Sequence, residues 1–121
     1  KILCVGWRNW EPGEIKARQH QYGLKPLTPE EAAADSDALR AWLKSCGASK
    51  VVVHFDMDVL DPAEIVAAVG TDPDGMKIEA VIRVINDIAA EKELVGLTVA
   101  EPMPRTAIRL RDMLGRLPLL E

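Results

Sequence analysis

Lys50-Val51-Val52-Val53-His54-Phe55-Asp56-Met57-Asp58-Val59-Leu60-Asp61-Pro62 is the stretch on which the fold turns. Three consecutive valines followed by an aromatic make Lys50 to Met57 the strongest strand of the chain. An unbroken apolar run of this kind belongs to a parallel sheet covered on both faces rather than to a half-solvated strand. The run then breaks into acids, and Asp61-Pro62 turns the chain away. Residues two apart on a strand share a face. His54, Asp56 and Asp58 are therefore predicted to point one way, and Phe55 and Met57 into the core. Two carboxylates crowded together with little water repel each other, so such a pair either has a raised pKa or holds a cation. Oxygen ligands suit hard divalent ions such as Mn²⁺ or Mg²⁺. The plainer alternative makes Asp58 and Asp61 caps or turn residues, with only Asp56 unusual, and makes His54 a hydrogen-bonded strand histidine.

Working outward, Ile2 to Trp7 is a short buried strand closed by Gly6, and Glu11-Pro12-Gly13 is turn chemistry. Glu14 to Tyr22 is predicted to be a helix with Gly23 as its C-terminal cap. Leu24 to Leu27 is a small edge strand, because Pro26 cannot donate to a central ladder. Thr28-Pro29-Glu30-Glu31 starts the next helix, with Thr as N-cap, Pro at the first position and Glu at the third. A further helix from Asp35 or Ser36 carries Leu39, Trp42, Leu43 and Cys46 and ends at Gly47. Pro62 to Gly75 reads as loop with a helical turn within Ala63 to Val69. Lys77 to Ala90 is an amphipathic helix with Ile78, Val81, Ile82, Ile85 and Ile88 or Ala89 on its apolar stripe. Leu94 to Ala100 is a second central strand. Arg105 to Leu114 is a last helix, bearing Ile108, Leu110 or Arg111, and Leu114. Strands alternating with helices predict an α/β fold: a single domain over residues 1–121, with a parallel β-sheet and helices on both faces. Ligands of such sheets sit at the carboxyl ends of the strands. Three polar clusters fall there: Arg8 to Glu11, His54 to Asp61, and Glu101 to Pro104.

Composition narrows the function classes. Hydrophobic residues make up 48% and charged residues 28% of 121 residues, with a formal net charge of −4. That balance supports a core and an ordinary polar surface, and excludes the basic face that non-specific nucleic-acid binding requires. No apolar run reaches the roughly 18 residues of a membrane span. Cys4 and Cys46 read as reduced thiols, which with the lack of a signal-peptide pattern leads to a cytoplasmic expectation. The two cysteines and two histidines show no zinc-ligand spacing. Lys1 opens directly into a strand, the start expected of a fragment.

Three motifs together resemble the ureohydrolases, the family of arginase, agmatinase and formiminoglutamase. Asp56-Met57-Asp58-Val59-Leu60-Asp61-Pro62 matches an Asp-x-Asp-x-x-Asp-Pro signature. Gly6-Trp7-Arg8-Asn9-Trp10-Glu11-Pro12-Gly13-Glu14 is similar to the arginase loop Gly-Leu-Arg-Asp-x-Asp-Pro-Gly-Glu. Gly96-Leu97-Thr98-Val99-Ala100-Glu101-Pro102-Met103-Pro104 resembles a Gly-Leu-Asp-x-x-Glu-x-x-Pro strand end. The resemblance implies the C-terminal portion of an arginase-like three-layer αβα fold. It implies hydrolysis of a small-molecule guanidino (amidine-type) substrate by a hydroxide bridging two metals, usually Mn²⁺, attacking the guanidinium carbon. On that analogy Asp56 bridges the metals, Asp58 binds one of them, and Glu101 pairs with the guanidinium, which a carboxylate grips through two hydrogen bonds. Glu11 and Asn9 face the far end of the substrate, and Thr71 lines the pocket.

The departures matter as much. Asn9 and Glu11 replace aspartates of the arginase loop, so the resemblance does not single out arginine. His54 stands where the family has Ser, and Gly70-Thr71-Asp72-Pro73-Asp74-Gly75-Met76 follows the family's Gly-Thr-Pro-x-x-Gly-Gly only loosely. The Gly-Gly-Asp-His and Asp-Ala-His-x-Asp segments that supply the other metal ligands do not occur in this sequence. The isolated chain is therefore expected to lack the full binuclear centre, to bind metal weakly and to be inactive. A partial sheet with an open edge is expected to self-associate, giving a homo-oligomer. Two alternatives stand beside this reading. One is a haloacid-dehalogenase-type phosphatase, with Asp56 as nucleophile and Asp58 as general acid. The other is a non-catalytic domain or inactive fragment that keeps the fold. Trp7, Trp10 and Trp42 are expected to pack, and Arg105, Arg109 and Arg111 to form a solvated helix face.

Overall fold

The computed structural model describes residues 1–8, 13–103 and 107–120. It runs β1 (Leu3–Val5), α1 (Gly13–Gln21), β2 (Lys25–Leu27), α2 (Pro29–Ala34), α3 (Asp37–Ser45), β3 (Lys50–Asp56), α4 (Ile78–Glu91), β4 (Glu93–Ala100) and α5 (Ala107–Leu114). The strands form two parallel pairs, β1 with β2 and β3 with β4. This is the α/β class that the alternation of strands and helices predicts.

Local chemistry sets the helix ends. Gly23 takes a positive φ of 66° just past α1, and Leu24 N–H closes back on Gln19 O at 3.0 Å, so the chain reverses into β2. Thr28 caps α2 in a full capping box: its Oγ1 accepts from Glu31 N–H at 3.2 Å, and Glu31 Oε2 accepts from Thr28 N–H at 2.8 Å. α4 has no side-chain cap of its own from Lys77. Its first N–H, that of Ile78, instead donates to Glu64 Oε2 from the preceding loop at 2.6 Å.

The core lies between the β3–β4 pair and the helices. α4 buries Val81, Ile82, Val84, Ile85 and Ile88, a slightly wider stripe than the periodicity gives. α3 adds Leu39 and Leu43, with Trp42 packed at the margin. Arg40 fastens α3 to α4 by ion pairs to Asp87 at 2.9 Å and Glu91 at 3.5 Å. Arg83 of α4 donates to the carbonyl of Ala32 in α2. Beyond α5, Leu117 is completely buried, and Asn86 donates to the Arg116 carbonyl at 3.1 Å. Cys46 is buried and Cys4 partly so; both are free thiols, and burial pushes the Cys4 thiol up.

Four expectations change. The strand alternation does not reach Asp58: β3 ends at Asp56, and Met57–Val59 is a single 3₁₀ turn. Phe55 and Met57 are buried as predicted, at 4% and 1% exposure. The helical turn expected within residues 63–69 starts earlier and is a single turn, closed by Ile65 N–H on Asp61 O at 3.1 Å, after which the chain is irregular. Ile108 points outward at 73% exposure, and the buried side chains of the last helical segment are Leu110, Met113 and Leu117. Finally, the described residues cover only one face of β3: Val53 and Phe55 pack toward the helices, whereas Val52 is 67% exposed. A bulge between Val51 and Val52 leaves Val95 unpaired and 48% exposed.

Two substitutions grade these contributions. In urea unfolding, Thr28→Ala is expected to cost about 1 kcal/mol, the usual loss of an N-cap. Leu43→Ala is expected to cost about 2–5 kcal/mol, the usual loss for truncating a buried leucine.

Candidate metal centre

The parallel register sets Asp56 opposite Ala100, so the acid that follows β4, Glu101, arrives at the same strand end as the acid that closes β3. Ligand atoms of Asp56, Asp58 and Glu101 all lie within 4.8 Å of one another. Asp56 and Asp58 are partly buried and Glu101 is exposed. Glu101 holds a positive φ of 56°. A non-glycine residue there is strained, and such strain persists where surrounding structure enforces it. Nearby, Met103 N–H donates to Ala67 O at 2.7 Å, anchoring the segment after Glu101 to the loop that follows β3.

Asp58 reaches the cluster by a turn rather than by strand alternation. Asp56 Oδ1 accepts from Asp58 N–H at 3.0 Å, so the first acid shapes the turn that presents the second. Asp58 Oδ1 in turn accepts from Gly70 N–H at 3.1 Å. Each carboxylate thus commits one oxygen to a backbone amide and leaves the other free of hydrogen bonds among the described residues. Gly70 is required by close approach: a Cβ there would stand 2.7 Å from the Asp58 carboxylate. Asp61 has a different job. Its two oxygens accept from Ala63 N–H at 2.8 Å and Gly75 N–H at 3.1 Å, so it organises the loop and has no place in the cluster. The turn reading holds for Asp61.

Arg8 locks these loops from the other strand pair. Its guanidinium donates to the carbonyls of Asp58 at 2.8 Å, Leu60 at 3.3 Å and Asp72 at 3.2 Å. The acceptors are main-chain oxygens, so no side-chain pattern could have revealed this role; the only signal was an Arg in the first polar cluster. His54 lies outside the acid cluster, its Nδ1 2.7 Å from Thr98 Oγ1 across the strand pair. That is a local pairing, between side chains rather than with backbone. Thr71 is exposed beside Gly70. Asn9, Trp10, Glu11, Pro104 and Arg105 lie outside the described residues.

The donor set suits a hard divalent ion: every ligand atom is a carboxylate oxygen. It is also short. With one oxygen each, three carboxylates fill about half of the octahedral shell that Mg²⁺ demands and leave room for ligands from elsewhere.

Comparison with known proteins bears on this arrangement. A model of the arginase family matches residues 1–113. No curated protein matches the chain. Among solved structures, an arginase of Helicobacter pylori superposes with a TM-score of 0.75 at 10% identity, over 92% of this chain and 42% of that one. An arginase of Bacillus caldovelox gives 0.70 at 20% identity, over 85% and 36%. An agmatine ureohydrolase of Thermoplasma volcanium gives 0.66 at 19% identity, over 93% and 40%. At these identities the structures show a shared fold, and this chain spans less than half of each of them. The family match displaces the phosphatase alternative.

Gly70→Ala tests how the acids are held. In Mn²⁺ titrations of the 121-residue chain, this substitution is expected to weaken binding roughly tenfold, about 1.4 kcal/mol, because the methyl group displaces the Asp58 carboxylate. Gly96→Ala, whose methyl would meet Val52 at an ordinary 3.5 Å, is expected to leave that binding unchanged.

Proposed function

The chain belongs to the arginase family, and from that premise we propose that it furnishes part of a metal-dependent site that hydrolyses a C–N bond of a guanidino or related amidine substrate. The observation that carries the proposal is the convergence of Asp56, Asp58 and Glu101 within 4.8 Å at the carboxyl ends of two paired parallel strands.

In this reading Asp56 and Asp58 hold the metal through their uncommitted oxygens, and Mn²⁺ is the ion proposed, two per complete site. Bound divalent ions supply Lewis-acid polarisation and lower the pKa of water toward neutrality. The protein's own residues do the positioning. Asp56 orients Asp58 through the turn it caps, and the Gly70 amide fixes the Asp58 carboxylate. Glu101, beside the two aspartates and exposed to the approach side, accepts two hydrogen bonds from the planar guanidinium and holds its carbon against the cluster. Thr71, Asn9 and Glu11 are proposed contacts for the rest of a small-molecule guanidino substrate. The free thiols of Cys4 and Cys46 favour a reducing compartment, the cytoplasm in this proposal. Among the described residues no helix is long and apolar enough to cross a membrane.

Further metal ligands must come from outside these residues, so the 121-residue chain alone is proposed to bind metal weakly and turn nothing over. Exposed Val52 and Val95 support its self-association into a homo-oligomer, which sedimentation would show as mass rising with concentration.

With Mn²⁺ present, the isolated chain is expected to release no urea from arginine or agmatine above a protein-free control. A polypeptide that joins these residues to the missing ligands is expected to hydrolyse a guanidino compound, and Asp56→Asn or Asp58→Asn to slow it at least about a hundredfold. Turnover by the isolated chain, or full activity in either variant, contradicts the proposal.

A further inference from the structure

We infer that Arg8 is the positioning residue for Asp58: it grasps main-chain carbonyls on both sides of the Asp58–Gly70 contact and so aims the one acid of the cluster that the strands do not place. The inference rests on the reading of Asp56, Asp58 and Glu101 as a metal site and adds to it the residue that sets one ligand.

The three acids reach the cluster with unequal support. Asp56 closes β3 and Glu101 directly follows β4, so the parallel register brings both to one place. Asp58 lies past the end of β3, on a single 3₁₀ turn. Its carboxylate accepts from Gly70 N–H at 3.1 Å, a contact between two segments outside the sheet. Such a contact keeps its geometry only while both segments are held, and Arg8 holds both. Its Nη1 donates to the carbonyl of Asp58 itself at 2.8 Å. Its Nη2 donates to the carbonyl of Asp72, two residues past Gly70, at 3.2 Å, and to that of Leu60, at the exit of the turn, at 3.3 Å. One planar group thus spans the acid and the amide that fixes it.

Two glycines make this grip possible. Gly6 N–H and Trp7 N–H both donate to Leu27 O, at 2.9 and 3.1 Å, so β2 anchors the end of β1. Gly6 has a φ of 78°, and a Cβ there would run into Val59 Cγ2 and stand 2.9 Å from Met76 Sδ. Glycine at this position lets β1 end against the turn, two residues before Arg8. Gly75 clears the other side: a Cβ there would strike Arg8 Nη2 and stand 2.6 Å from the Leu60 carbonyl carbon and the Asp61 nitrogen. The guanidinium is therefore packed tightly against backbone. Its Nε–H is buried with no acceptor among the described residues. A buried donor without a partner costs stability, so this placement serves the three carbonyls ahead of the guanidinium's own hydrogen bonding.

Shape carries this role more than charge does. The acceptors of Arg8 are all main-chain carbonyls, so the open Asp58 oxygen stays available to an ion. Carbonyls from positions 58, 60 and 72 around one flat group suit a rigid fork of donors. An ammonium, a compact charge on a flexible stem, does not reproduce that spread. Removing a group that orients a metal ligand typically costs about 10–100-fold in metal affinity.

The test is a double-mutant cycle on the 121-residue chain, with Mn²⁺ alone as the probe and binding read from the loss of the free-ion EPR signal. Arg8→Lys is expected to weaken binding roughly tenfold. In an Asp58→Ala background, where no carboxylate remains to be aimed, the same substitution is expected to change nothing. Without metal, amide NMR is expected to show the Gly70 proton moving upfield in Arg8→Lys as its bond to Asp58 lengthens, while the Ile78 proton, bonded to Glu64, stays in place. Arg8→Gln, which keeps an amide donor without the fork, is expected to follow the same pattern and serves where the lysine variant fails to fold. Equal losses in both backgrounds, or an Ile78 proton that moves together with that of Gly70, would mean that Arg8 only supports the fold and would overturn the inference. Binding that depends on Asp58 but not on Arg8 sinks this inference alone, whereas a chain whose Mn²⁺ binding ignores Asp58→Ala sinks the metal reading with it.

Discussion

Everything at the candidate site depends on the parallel pairing of β3 with β4 in one register. Parallel strands deliver their carboxyl ends to the same place, and the register opposes Asp56 with Ala100. A slip by one residue would turn each strand's side chains to the opposite face, separating Asp56 from Glu101 and pulling Phe55 from the core. The burial of Phe55 in the core, with Leu97 and Val99 packed against it, therefore also fixes where the acids meet. Stability and site geometry draw on the same contacts.

The pairing alone does not complete the cluster. Asp58 arrives through a turn that Asp56 itself caps, and its carboxylate is held by an amide from a loop twelve residues further on. Arg8 then binds three carbonyls of those loops from the neighbouring strand pair. A guanidinium suits this task because its five donors form a rigid planar fork. Each of the two carboxylates is thus held by a backbone amide, while Arg8 fixes the loops through their main-chain carbonyls.

Much of this was legible from residue types. The valine run announced β3, the Thr-Pro-Glu-Glu sequence announced α2 with its capping box, and the Asp-x-Asp-x-x-Asp-Pro pattern marked the acids. What escaped the sequence shares a physical cause. Period-two reasoning holds only while a ladder lasts, so it placed Asp58 on a strand that ends two residues earlier. The role of Arg8 is written in main-chain carbonyls, which every residue has. Gly70 is demanded by a carboxylate distant in sequence. Ile108 is apolar by type but lies on the outer side of α5, where the buried side chains are Leu110, Met113 and, just beyond the helix, Leu117. The cover predicted for both faces of β3 comes only in part from this chain, which spans less than half of the arginase-fold structures it superposes on.

The central claim is that the convergent acids form a cation site and are not merely a cluster of turn residues. Paramagnetic broadening tests it directly: substoichiometric Mn²⁺ is added to the ¹⁵N-labelled 121-residue chain and the amide signals are followed. The account predicts that Asp56, Met57, Asp58, Gly70 and Glu101 fade first, while surface acids such as Glu30, Glu31 and Asp37 keep their signals. Uniform broadening, or loss centred on those surface acids with residues 56–58 intact, would contradict it.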